Sequence, residues 1–195
     1  MTTTILLIAT GGLWMAFERT LDLRDRLRGM GTTTADRGTR RLNAFLLIGG
    51  LLAAFAISIA APAHSPLWIA GLRADGWPAE AGLVVAWIGL AVRVWAIVTL
   101  GHSFRTTVEV DNGQSVVSSG PYRLVRHPSY TGIMLLTAGL GLASGTWPGL
   151  VLCLVLPAIS LLRRIGVEEA EMLRVVGEPY RVYLNHTKRL IPGLW

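Results

Sequence analysis

Arg126-His127-Pro128-Ser129-Tyr130-Thr131-Gly132 runs directly into Ile133-Met134-Leu135-Leu136-Thr137-Ala138-Gly139-Leu140-Gly141-Leu142-Ala143-Ser144. After Gly145-Thr146, a second apolar run follows from Trp147 to Leu162. A cationic, hydrogen-bonding entrance thus leads into two apolar segments joined by a very short turn. Pro128 suits the first position of a helix, where its fixed φ is favourable and its missing N–H costs nothing. Gly145, Thr146 and Pro148 predict a tight helical hairpin. Spanning a bilayer takes roughly 20 helical residues, with about 17 as a lower limit. Ser129–Ser144 and Trp147–Leu162 are short by that measure, so the hairpin fits a partial crossing or a thinned bilayer.

Three more apolar segments precede this hairpin: Thr2–Phe17, Leu42–Ala61 and Glu80–Leu100. Hydrophobic residues make up 52% of the chain and charged ones only 15%, with a mean hydropathy of +0.50. A soluble domain carries about 25% charged residues. The expected fold is therefore an all-α integral membrane protein with five transmembrane helices. Thr2–Phe17 has neither a basic leader nor a small-residue cleavage site, so it reads as a retained span. Cys153 is the single cysteine, which excludes an intramolecular disulfide and a cysteine-rich metal site; no metal is expected. The chain reads as one domain, 1–195, in which 1–92 holds the N-terminal spans and a basic loop and 93–195 the remaining spans, loop and tail.

Charge sets the orientation. Of the 18 basic residues, all but Arg73 and Arg93 follow span one, lie between spans three and four, or follow span five. The positive-inside rule makes that side cytoplasmic, with the N-terminus out and the C-terminus in. Trp68, Trp77 and Trp147 then fall at the outer boundary, and Ile191–Trp195 reads as an interfacial anchor. The net charge of +6 belongs to the cytoplasmic face and suits anionic lipid heads. A nucleic-acid partner is not expected, because no aromatic-interleaved basic surface stands apart from the membrane segments. Gly29–Gly38 reads as a flexible part of the first loop.

The chemistry must sit on the cytoplasmic side. Thr106–Val110 and Val116–Val117, separated by Asp111-Asn112-Gly113, predict a small hairpin lying on the bilayer. The N–H groups of Ser129, Tyr130 and Thr131 at the start of helix four favour a carboxylate or phosphate. His127 and Tyr130 flank the same opening, and Gly132 permits close approach of a ligand or a neighbouring helix. The same arginines and tyrosines also suit lipid phosphates and interface anchoring. In the tail, Arg164 and Glu168 are i,i+4 neighbours. Glu168 and Glu169 point about 100° apart, so one of them at most lines a given pocket. Arg93, about 10 Å inside span three, either snorkels or faces a water-accessible cavity. Gly177 ends the tail helix, and Pro179 starts another running to His186.

The stretch from Arg93 to Pro192 resembles the membrane-embedded methyltransferases related to isoprenylcysteine carboxyl methyltransferase and the phospholipid N-methyltransferases. The resemblance rests on Leu100-Gly101, Gly120-Pro121-Tyr122-Arg123, Arg126-His127-Pro128 with Tyr130 and Gly132, and Glu168-Glu169. Gly177 with Tyr180 and Tyr183, and Ile191-Pro192, complete it. It implies S-adenosylmethionine as cofactor, bound from the cytosol by Arg126, His127, Pro128, Tyr130, Gly132, Glu168, Glu169, Tyr180 and Tyr183. It further implies that 93–195 is the catalytic, cofactor-binding half, with catalytic roles for His127, Glu168 and Arg163, and substrate contacts from Arg93, His102, Phe104 and Arg105.

The implied activity is methyl transfer, at the cytoplasmic face of a prokaryotic inner membrane, to a lipid-borne or small apolar acceptor. An isoprenylcysteine-type carboxylate is favoured over a phospholipid amine or a small thiol. After Leu100-Gly101, many relatives have arginine or asparagine, a small residue and tryptophan; this chain has His102-Ser103-Phe104, so the acceptor does not carry over with the family. More distant readings are an NADPH-dependent sterol-type reductase and a non-catalytic lipid-binding module. No glycine-rich dinucleotide fingerprint is present, which argues against a soluble Rossmann-type methyltransferase.

Overall fold

The computed structural model describes residues 2–29, 36, 38–62, 65–69, 77–108, 110 and 115–195. Six helices follow in order: α1 (Thr2–Leu27), α2 (Thr39–Ala60), α3 (Trp77–Leu100), α4 (Pro128–Ala143), α5 (Trp147–Val175) and α6 (Glu178–His186). Single helical turns lie at Gly101–Ser103 and Gly120–Arg123. Each of the five apolar segments forms a helix. Among the described residues, α2, the α3 stretch Ala79–Ser103 and α5 are long and apolar enough to cross a membrane. The 16 residues of α4 rise only about 24 Å, short of the ~30 Å hydrocarbon core.

Two helices outrun the apolar segments read from sequence. α1 continues past Phe17 to Leu27, and α5 continues past Leu162 to Val175 despite Pro157 within it. Nothing breaks either helix at the polar boundary: neither Glu18–Leu27 nor Arg163–Val175 contains proline, and these residues are mostly sound helix formers. The carboxylates Glu168 and Glu169 are therefore held rigidly on α5. The hairpin expected over 106–117 is corrected: residues 104–108, 110 and 115–118 form no strand ladder, while Asp111–Gly113 lie outside the described residues. Arg73, the side chain of Trp77 and most of the Gly29–Gly38 loop also lie outside them.

The core gathers apolar side chains from α1 to α5, among them Trp14, Leu51, Leu90, Leu136, Leu140 and Leu161. The most extensive contact joins α3 to α4, and α2 packs chiefly on α5. The α3–α4 seam is a backbone contact. A Cβ on Gly89 would stand 2.4 Å from the Leu136 nitrogen, and one on Gly139 would stand 2.4 Å from the Ala86 nitrogen. A Cβ on Gly132 would stand 2.7 Å from the Arg93 nitrogen. Small residues let helix backbones approach where lipid gives no hydrophobic drive. The α4–α5 turn is fixed by Thr146, whose hydroxyl accepts from Gly149 N at 3.2 Å. Ile69 N donates to Gly145 O at 2.9 Å, and Trp147 N donates to Leu67 O at 2.9 Å.

Gly139→Leu is expected to lower stability by about 1–3 kcal/mol or more, because side-chain atoms have no room against backbone. Gly49→Ala on α2, where an added Cβ meets nothing within 4 Å, should be neutral or stabilising by up to about 1 kcal/mol. Thermal unfolding of the two purified variants in detergent checks both outcomes.

Candidate functional site

At the entrance to α4, the chain's C-terminal segment is laid alongside Val125–His127. Arg126 N donates to Lys188 O at 2.7 Å, His127 N donates to Arg189 O at 3.0 Å, and Thr131 Oγ1 donates to Leu190 O at 2.8 Å. The Arg126 guanidinium bonds Glu169 Oε1 at 3.0 Å, Leu184 O at 3.1 Å and Thr187 O. Glu169 also takes Arg189 Nη2 at 2.9 Å and lies 3.3 Å from His127 Nε2. Arg126 and Glu169 therefore staple α5, the α4 entrance and the C-terminal segment together.

His127 lies between the paired glutamates, with Nδ1 3.6 Å from Glu168 Oε2. Its ring stacks on Tyr130 with centroids 5.6 Å apart and planes 11° from parallel. The Tyr130 hydroxyl donates to Glu168 Oε1 and accepts from Arg164 Nε at 2.7 Å. Arg164, buried on α5, also bonds Glu168 Oε1 at 3.0 Å, Asp36 Oδ1 at 3.4 Å and Thr106 O at 2.8 Å. A buried guanidinium needs such partners, because an unpaired buried charge is expensive.

Two cavities flank this network. The first, ≈ 160 Å³, is bounded by Arg126, His127, Tyr130, Glu168, Tyr180 and Tyr183, with an apolar wall that includes Val108, Val116 and Val117. Burial pushes the Tyr183 phenol up to about 12 and the Tyr180 phenol above its ordinary value, so both stay protonated at neutral pH. The Tyr183 hydroxyl donates to Tyr122 O at 2.6 Å. The second cavity, ≈ 390 Å³, is lined mainly by α1 and α2, with residues of α3, α4 and α5, and holds Glu18, Arg19, Arg41, Arg93 and Arg164 in its lining. Phe104, Arg105 and Tyr130 border both cavities.

The residues expected at the site differ in where they stand relative to the two cavities. Arg93 faces the second cavity and does not snorkel: it is buried, bonds Glu18 at 2.5 and 2.7 Å, and reaches Ser129 Oγ at 2.6 Å. Arg163 is exposed and borders neither cavity, so it does not join the site; its neighbour Arg164 does. His102 is likewise exposed and borders neither. Gly132 contacts the backbone of α3 and no cavity. Pro128 is buried at the first turn of α4 and borders neither cavity. The α4 N-terminus is less open than its sequence implies, because Tyr130 N and Thr131 N both donate to His127 O, at 3.0 and 3.1 Å. Of the three N–H groups, Ser129's is the one without such a bond. As expected, one of the paired glutamates lines a cavity: Glu168 borders the first, and Glu169 sits behind it.

Sequence reasoning missed Glu18, Asp25 and Asp36 as parts of this region. Their signal was present: they are acidic positions in an otherwise basic segment. The choice of Arg164 over Arg163 was also readable, because Cys153, Pro157, Ser160, Leu161 and Arg164 share the buried face of α5.

Residues 82–174 match the isoprenylcysteine carboxyl methyltransferase family. Protein-S-isoprenylcysteine O-methyltransferase A of Arabidopsis thaliana is 35% identical over 71 residues, which are 35% of this chain and 36% of that one. The Protein-S-isoprenylcysteine O-methyltransferase of Tribolium castaneum is 30% identical over 130 residues, 63% of this chain and 44% of its own. The solved structure of a eukaryotic intramembrane Ras methyltransferase superposes with a TM-score of 0.63 at 25% identity, covering 77% of this chain and 52% of that one. The chain thus spans less than two thirds of the length of these relatives. With its long apolar helices and this likeness, the protein is an all-helical integral membrane protein.

Asp25, beyond the apolar part of α1, accepts from Thr106 N at 2.7 Å and from Arg24 Nη2 at 2.8 Å. Burial alone would raise its carboxyl, but these bonds outweigh it and hold the group below its ordinary value of 3.8. Its stabilising contribution is therefore complete above that value and is lost as pH falls through the lower folded one. Asp25→Asn should lower the melting temperature at pH 7, and the difference from the parent should shrink in acid; a gap independent of pH down to strongly acidic solution would contradict this.

Proposed function

We propose that this protein is an S-adenosylmethionine-dependent methyltransferase that works at the cytoplasmic membrane face and methylates an anionic, lipophilic acceptor of the isoprenylcysteine-carboxylate type. The observation that carries the reading is the pair of cavities sharing Phe104, Arg105 and Tyr130: donor and acceptor can be held apart yet meet at one wall.

The residues of the first cavity fit the cofactor. Glu168 suits its ammonium group, while Arg105 and the Ser129 N–H suit its carboxylate. The apolar and tyrosine-lined wall suits adenine. When bound, S-adenosylmethionine supplies an already activated sulfonium methyl group, so holding the reactants in line provides much of the rate. The second cavity suits an anion. Arg93, held by Glu18, and Arg164, held by Glu168, both lie in its lining, and Arg19 and Arg41 stand at it with no carboxylate partner among the described residues.

A carboxylate acceptor is ionised at neutral pH and needs no base. An amine or thiol acceptor needs one, and the second cavity is poorly furnished for it. His127 borders only the first cavity, and Glu18 and Asp22 are engaged by Arg93 and Arg40. This favours the carboxylate over a phospholipid amine or small thiol. A lipid-binding module accounts for an arginine-lined cavity but not for a second, tyrosine-lined one that shares a wall with it.

The distribution of basic residues supports five crossings, an outer N-terminus and an inner C-terminus, as in a prokaryotic inner membrane. The portion of α5 from Arg163 onward then projects into the cytoplasm and carries Arg164, Glu168 and Glu169.

S-adenosylhomocysteine should raise the melting temperature of the purified protein, and NADPH should not. His127→Ala and Glu168→Ala should each weaken that binding about tenfold or more, since each removes a partner of a charged or buried group, while Arg163→Ala should leave it intact. Absence of any response to either compound would sink both enzyme readings, and methylation of amines but not prenylcysteine carboxylates would overturn the acceptor assignment. For orientation, a cysteine replacing Arg73 in a Cys153→Ala background should react with impermeant reagents from outside; labelling from the cytoplasmic side would reverse it.

A further inference from the structure

Residues 104–108 have no regular secondary structure, yet side chains grip their backbone. Phe104 O accepts from Arg24 Nη2 at 3.0 Å, and Thr106 N donates to Asp25 Oδ2 at 2.7 Å. Thr106 O accepts from Arg164 Nη2 at 2.8 Å, and Val108 N lies 3.5 Å from Asp36 Oδ1. Asp25 and Asp36 are 1% and 2% exposed. Asp36 is itself fixed by Thr39 Oγ1 at 3.0 Å and Arg40 N at 3.1 Å. Arg24, Asp25 and Asp36 all lie outside the family-matched residues 82–174.

Thr107 stands in the middle of this strap and borders the first cavity. It is 3% exposed, and its hydroxyl has no hydrogen-bond partner among the described residues. An unpaired buried hydroxyl costs about 1–3 kcal/mol, so valine would suit the position better unless something completes the bond. The cavity lining includes Val108, Val110, Val116 and Val117, with Ser115 among them. Thr106 Oγ1 is also buried without a partner, but Thr106 borders the second cavity and not the first; a hydroxyl beside valines is suited to the polar edge of a largely apolar ring system. Rotation about one side-chain bond exchanges the methyl and hydroxyl of threonine, so the group can turn to a ligand without moving the strap.

We propose that the Thr107 hydroxyl is a hydrogen-bond partner for the adenosine portion of the cofactor, and that Asp25 and Asp36 are positioning residues that hold the strap from the N-terminal part of the chain. The assignment rests on the methyltransferase reading and deepens it. Arg164 carries the same strap from the other side, so the wall between the two cavities is fixed from α1, from the residues before α2, and from α5.

The test measures S-adenosylhomocysteine affinity and ligand-free melting temperature in the purified full chain. Thr107→Val should weaken binding about 3- to 10-fold, the range for one lost neutral hydrogen bond, with an unchanged or higher ligand-free melting temperature. Thr107→Ser should stay within about twofold of the parent. Wild-type affinity in Thr107→Val, or a drop in its ligand-free melting temperature, would overturn the contact. Failure of the parent protein to bind would remove the methyltransferase reading and the contact together. For the positioning residues, Asp36→Asn, or Asp25→Asn where the first does not fold, should weaken binding in the parent but add little in the Thr107→Val background. Additive losses would overturn the positioning role.

Discussion

Everything at the polar end of this bundle, where α4 begins, depends on keeping one buried cation neutralised. The Arg164 guanidinium, 4% exposed, reaches Tyr130, Glu168, Asp36 and the Thr106 carbonyl. Those partners belong to α4, α5, Asp36 three positions before α2, and the strap after α3. Breaking a buried ion pair leaves an uncompensated charge and typically costs about 3–5 kcal/mol, so the four segments are held in register by a penalty that falls due if any one moves away. Such a pair adds little net stability compared with an apolar core. Its consequence here is geometric: Tyr130 and Glu168 stand at a fixed place between two cavities.

A second constraint, in the apolar layer, makes that place reachable. Because Gly89 and Gly132 let α3 and α4 touch backbone to backbone, the guanidinium of Arg93 can bond Ser129 across the seam while Glu18 holds its other edge. A bulkier seam would push α3 away and leave Arg93 without Ser129. The stripe of small residues and the buried ion pair are thus successive steps of one arrangement, packing first and polar placement after it.

Much of this was legible in the sequence, and the exceptions have physical causes. Pro128, the turn at Gly145-Thr146 and the apolar runs placed all five long helices, because hydrophobic blocks and helix-start chemistry are local signals. The lengths of α1 and α5 were less legible, since a helix passing from lipid to water loses its apolar signal without losing its hydrogen bonds. His127, Tyr130 and Glu168 border one cavity. Gly132 instead serves a helix seam, because a glycine reads alike for a ligand and for a neighbouring backbone. Two of the three α4 N–H groups turned out to be occupied by the His127 carbonyl, a matter of local dihedrals that residue identity does not encode. Glu18, Asp25 and Asp36 escaped notice because their partners are far away in sequence: Arg93 for Glu18, Thr106 for Asp25, and Arg164 for Asp36.

The two cavities divide the chain unequally, and the division bears on what similarity can mean. All the residues that border the first cavity fall between Leu100 and Tyr183, and most lie within or just beyond the stretch that matches the family. The second draws most of its lining from α1 and α2, including Trp14, Met15, Asn43 and Leu47, which lie outside that stretch. On the proposed reading, recognition of the methyl donor resides in the family-like portion and recognition of the acceptor in the N-terminal helices. A chain can then keep its donor chemistry while its acceptor changes, provided the carboxylates that brace the dividing wall are kept. Asp25 and Asp36 are those carboxylates: both lie outside the stretch that matches the family, and both hold the wall that the first cavity shares.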